Sequence, residues 1–81
     1  MIEGILITDL GLIEIGFVDD KSFLLKAKSD SLLRDNSSIE YGFVLKDNKI
    51  YSCKYSHSKF NYQRKIAGTG ILLTEVFSMT F

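Results

Sequence analysis

Residues Ile39 to Tyr55 read IEYGFVLKDNKIYSCKY, and this stretch decides the fold. Apolar and aromatic residues alternate with small or polar ones on either side of Lys46-Asp47-Asn48. That is the pattern of two half-buried strands around a polar turn. Taking Lys46-Asp47-Asn48 as the loop puts Asn48 in the left-handed conformation that asparagine tolerates. Val44 then lies opposite Ile50, Phe43 opposite Tyr51, Tyr41 opposite Cys53, and Glu40 opposite Lys54. On this register Tyr41, Phe43, Tyr51, Cys53 and Tyr55 face the core. Glu40 and Lys54 form a cross-strand charge pair worth ~0.2–1 kcal/mol.

Upstream, Ile13 to Lys28 (IEIGFVDDKSFLLKAK) repeats the pattern: IE(I/Y)GFV, a turn holding Asp and Lys, and a later Lys. Asp19-Asp20-Lys21 is the turn, which sets Phe17 against Phe23, Ile15 against Leu25, Ile13 against Ala27 and Glu14 against Lys26. The second copy is longer by Leu45 and Lys46, an insertion that preserves the parity of the strand faces. A fainter echo links Gly4–Leu10 (GILITDL) with Gly70–Val76 (GILLTEV). The match admits internal duplication of a β-hairpin unit, or chance similarity among short strands rich in Ile, Gly, Phe and Lys.

Working outward, Ile5–Thr8 reads as a strand and Asp9-Leu10-Gly11 as a hairpin loop with Gly11 left-handed. This puts Ile5, Ile7, Ile13 and Ile15 on one face. Ser29 to Ser38 breaks the alternation and holds at most one helical turn through Arg34. Ser56 to Lys65 (SHSKFNYQRK) is polar, basic and aromatic, and reads as a long loop. Ile71 to Phe81 is a last strand with two apolar faces, and its uncharged end favours an interface there. About six short antiparallel strands in 81 residues specify a single all-β domain. The expected form is a small barrel or two packed sheets of SH3-like or OB-like size.

Composition bounds the function. The formal net charge is zero, but residues 1–40 carry eight acids and four bases, whereas residues 41–81 carry two acids and six bases. No apolar run reaches the ~18 residues of a membrane span, and the first residues lack the basic segment of a secretory signal. One cysteine excludes an internal disulfide framework and favours a reducing, cytoplasmic setting. Proline and tryptophan are absent and lysine outnumbers arginine eight to two. That usage fits an AT-rich genome, such as those of many phages and other viral or mobile elements.

No motif for catalysis emerges. Cys53 and His57 lack a third orienting group, and Cys53 belongs to the core face. One Cys and one His cannot build a structural zinc site. The aspartates fall at turns, where local hydrogen bonding accounts for them. Neither a metal nor another cofactor is expected.

Two binding chemistries remain. The first is a non-enzymatic protein-interaction module, a small inhibitor or adaptor that self-associates as a homodimer or larger homo-oligomer. Its partner would meet His57, Lys59, Phe60, Tyr62, Arg64 and Lys65, while Val76, Phe77, Met79 and Phe81 carry self-association. The second is single-stranded nucleic acid. Segment 46–65 holds six bases and one acid interleaved with Tyr51, Tyr55, Phe60 and Tyr62. The core register withdraws Tyr51 and Tyr55 from such a surface, and the neutral chain lacks a basic pI.

Overall fold

The computed structural model describes residues 3–27, 38–60 and 65–79, with only the backbone for 59, 60, 65 and 66. The helical turn expected after Ser29 lies outside these residues. Six strands form: β1 (Gly4–Thr8), β2 (Gly11–Phe17), β3 (Ser22–Leu25), β4 (Glu40–Lys46), β5 (Lys49–Phe60) and β6 (Lys65–Ser78). They close into an antiparallel barrel in the order β1-β2-β3-β6-β5-β4. Among the described residues no helix is long and apolar enough to cross a membrane.

Three hairpins have their turns among the described residues, and only one of these follows the expected turn. The β2–β3 turn is as the sequence predicts: Phe17 pairs with Phe23 and Ile15 with Leu25, and the Val18 amide donates to the Ser22 carbonyl at 2.9 Å. The Asp19 carboxylate holds the turn by accepting the amides of Lys21 and Ser22 at 2.9 and 2.7 Å. Those hydrogen bonds keep its pKa below the ordinary value.

The β1–β2 connection is instead a two-residue turn, Asp9-Leu10, because Gly11 already pairs with Thr8. The Thr8 hydroxyl makes this turn, accepting the amides of Leu10 and Gly11 at 3.1 and 3.0 Å. Gly11 has a φ of 146°, which only glycine adopts freely. The parity change turns Leu6 inward beside Ile13 and Ile15, and puts Ile5 and Ile7 on the outside.

The β4–β5 turn differs from expectation in the same way. Asp47 and Asn48 are both left-handed, with φ of 52° and 61°. This is the two-residue geometry that matches strand twist. Glu40 now pairs with Tyr55, Tyr41 with Lys54 and Val44 with Tyr51. Tyr41 and Phe43 therefore point outward, 74% and 47% exposed. Tyr51, Cys53 and Tyr55 keep their core-facing positions, with Tyr51 half-buried. The anticipated Glu40–Lys54 pair is replaced by a hydrogen bond from the Tyr55 hydroxyl to Glu40.

The core is Leu6, Ile13, Ile15, Phe23, Leu25, Val44, Cys53, Tyr55 and Leu72. A barrel this narrow needs small residues opposite large ones. Phe23 pairs with Gly70. A Cβ at Gly70 would overlap the Phe23 ring and approach the Lys54 carbonyl oxygen to 2.9 Å. At one end Phe17 meets Phe23 edge to face at 5.9 Å. The Lys46 ammonium covers the Phe17 ring at 4.2 Å and donates to the Asp20 carbonyl at 3.4 Å.

The two hairpins that resemble each other in sequence occupy β2–β3 and β4–β5. A half-turn about the barrel axis exchanges these places but lays β2 on β5 and β3 on β4 with their directions reversed, so it does not superpose the matching strands. The topology relates β1-β2-β3 to β4-β5-β6 instead, because β1 joins β4 and β3 joins β6. The sequence match therefore does not follow the two-fold relation of the barrel.

Candidate interaction surface

The long loop expected from Ser56 to Lys65 is mostly strand. β5 and β6 pair continuously out to Phe60 and Lys65, well past the contacts that β4 and β3 make with them. The ladders of the other strands end at Tyr55 and Thr69, so β5 and β6 continue as a two-stranded ribbon beyond the Ser56–Thr69 pair. Fourteen residues in β6 at ~3.3 Å each account for the molecule's long dimension of 46 Å.

This ribbon redistributes the candidate residues. His57 is not on an exposed loop: it is only 2% exposed, opposite Gly68, its ring stacked on Tyr55 at 6.2 Å. Lys59 and Phe60 lie on β5 and Lys65 on β6, with Phe60 paired to Lys65. Tyr62, Arg64 and Phe81 fall outside the described residues. In the self-association set, Val76 and Phe77 are exposed, and Met79 donates its amide to the Asn48 carbonyl at 2.8 Å.

β6 is bulged twice. Its pairing with β5 skips one residue between Tyr51 and Ile50 and another between Cys53 and Ser52. Val76 and Leu73 are the extra residues. The Ser52 hydroxyl stabilises the strand between them, accepting the Thr74 amide at 3.2 Å and donating to its carbonyl at 3.3 Å. Lys49 and Glu75 form an ion pair at 3.4 Å across the same strands.

Cross-strand pairing then assembles an apolar strip on the outside of the barrel. Ile5, Leu45, Ile50 and Phe77 are successive partners across β1, β4, β5 and β6, with Phe77 57% exposed. The adjacent row runs Leu12, Ile7, Phe43. Leu73 and Val76 flank the strip and are likewise exposed. Farther along the barrel the strip gives way to a groove of 230 Å³ over β5 and β6, whose lining includes Ile39, Lys54, Ser56, Thr69 and Ile71. Tyr41, the cross-strand neighbour of Lys54, stands beside it.

The inward face offers no reactive pair. Cys53 is buried, and that burial pushes its thiol up to about 11. Four residues along a strand separate Cys53 from His57 by roughly 13 Å, and Tyr55 lies between them. Burial likewise raises the Tyr55 hydroxyl, with a further contribution from its hydrogen bond to Glu40. Among the described residues no three His, Cys, Asp or Glu side chains converge as metal ligands. Comparison with protein-family models, curated proteins and solved structures finds no match.

The outward-facing Tyr41 and Phe43 are the surface residues that the sequence register misplaced, whereas Lys54 keeps its outward place with Tyr41 as its new partner. Their signal was the Asp-Asn dipeptide. Both residues tolerate a left-handed backbone, so the pair alone can form a complete hairpin turn.

Proposed function

We propose that this chain is a non-enzymatic protein-interaction module that self-associates through the apolar strip on β1, β4, β5 and β6, in the manner of a small inhibitor or adaptor. A reducing, cytoplasmic setting suits its buried free thiol. The supporting observation is the strip itself. Leu12, Phe43, Leu73, Val76 and Phe77 are all exposed. At roughly 100 Å² of apolar surface each, they expose on the order of 500 Å², near the upper end for a monomer's largest patch. That is about two-thirds of the ~800 Å² each partner contributes to a standard interface. A second copy of the chain is the occupant, since an isologous contact covers the same strip on both protomers.

Light scattering after size exclusion, across a concentration series up to about 1 mM, tests this. The expected result is a dimer mass that Phe77→Glu converts to monomer while the thermal midpoint of the monomer is retained. A strict monomer throughout the series, or a Phe77→Glu dimer as tight as the parent, refutes it.

A further inference from the structure

We infer that the groove over β5 and β6, together with Tyr41, is a binding site for single-stranded nucleic acid, a function separate from self-association through the strip. Three observations support this. The first is charge. Apart from the Lys49–Glu75 ion pair, the described residues of β5 and β6 carry Lys54, Lys59 and Lys65 and no acid. The nearest acid on these strands, Glu75, is already paired with Lys49 at the far end of the hairpin. A neutral protein therefore carries a locally basic hairpin. Charge complementarity selects a polyanion for it.

The second observation is the chemistry of the groove. Its lining combines one cation, Lys54, with the hydroxyls of Ser56 and Thr69 and the apolar flanks of Ile39 and Ile71, and it includes no carboxylate. An ammonium and two hydroxyls suit a phosphodiester, while the isoleucines suit a sugar or a base edge. The third is Tyr41, 74% exposed and directly across from Lys54 on the outward face. A free aromatic ring beside a phosphate-binding cation is the pairing used for unstacked bases. A duplex keeps its base faces stacked inside, so it can use the lysines but not the ring.

Fluorescence anisotropy with end-labelled twelve-nucleotide oligo-dT and oligo-U, at about 50 and 200 mM salt, tests the site. A duplex of equal length and heparin serve as competitors. Binding should weaken with salt, Tyr41→Ala should lower affinity about 5- to 100-fold, and Tyr41→Phe should restore it. Lys54→Ala should weaken binding and flatten the salt slope by about 0.7. Tyr41→Ala should unfold at the parent temperature, since its ring is outside the core, which separates lost binding from lost fold. No binding at low salt overturns the inference, as does wild-type affinity in both Ala variants. Duplex or heparin binding as tight as single strands also overturns it, because the surface would then be a general polyanion site without base stacking.

Discussion

Replacing Gly70 by alanine tests whether the barrel interior is set by the Phe23 ring. A glycine-to-alanine change in a strand would ordinarily stabilise by ~0.4–1 kcal/mol, because the unfolded chain loses freedom. Here the new methyl would overlap Phe23 and come within 2.9 Å of the Lys54 carbonyl oxygen, which the β4–β5–β6 ladder holds in place. Overpacking costs ~1–3 kcal/mol, and two fixed neighbours place this site near the upper end. The net loss is ~1–2.5 kcal/mol, or about 5–20 °C in thermal midpoint for a domain of this size. Phe23→Leu alone removes three carbons from a buried ring and costs ~2 kcal/mol. In the double variant the methyl enters the space the ring has left, so the combined cost should fall short of the sum by ~1 kcal/mol or more. Urea denaturation with a shared m-value measures all three. Additivity within ~0.5 kcal/mol, or a Gly70→Ala protein as stable as the parent, would refute the reasoning.

Two further predictions concern ionisable groups. The Cys53 thiol, buried and pushed up to about 11, should resist iodoacetamide in the folded protein at about pH 8 and react fully in denaturant; rapid labelling of the native protein contradicts the burial. Asp19 titrates below its ordinary value of 3.8 because of its backbone hydrogen bonds. The unfolded chain therefore takes up that proton first, so the stabilisation is present above the ordinary value and is lost as pH falls through the folded one. The urea-midpoint difference between the parent and Asp19→Asn should shrink on going from about pH 5 to about pH 2, and a constant difference argues against the turn's carboxylate.

All six strands were legible in the sequence, because each carries a period-two or continuous apolar run bounded by polar turn residues. The β2–β3 register was legible as well. Glu14, Gly16 and Lys26 mark its outward face, so only one parity buries Phe17, Phe23, Ile15 and Leu25. Parity gave no such guide in β1, where Gly4 to Thr8 (GILIT) is apolar on both faces. The turn therefore had to decide it, and the Thr8 side chain makes a tighter turn than Gly11 suggests. The β4–β5 register erred for the same reason, since Tyr41 and Phe43 are hydrophobic enough to be read as core. The continuation of β5 beyond Tyr55 was hidden because Ser56, His57 and Ser58 resemble a loop in composition, although they alternate as a strand. Barrel closure leaves no local trace. It depends on β1 meeting β4 and β3 meeting β6, contacts that no turn chemistry specifies.

Those two closing contacts bear on the order in which the chain folds. Each three-stranded meander, β1 to β3 and β4 to β6, can zip up from its own turns. The β1–β4 and β3–β6 junctions join residues about forty and fifty positions apart. Loop entropy must be overcome before such contacts contribute, which places barrels of this kind among the millisecond-to-second folders. Until both junctions form, β1, β3, β4 and β6 each offer a bare edge. In a crowded synthesis environment, the matching edge of another copy competes with the chain's own. The rate of closure, more than the depth of the native minimum, then governs whether newly made chains become barrels or exchange strands with one another.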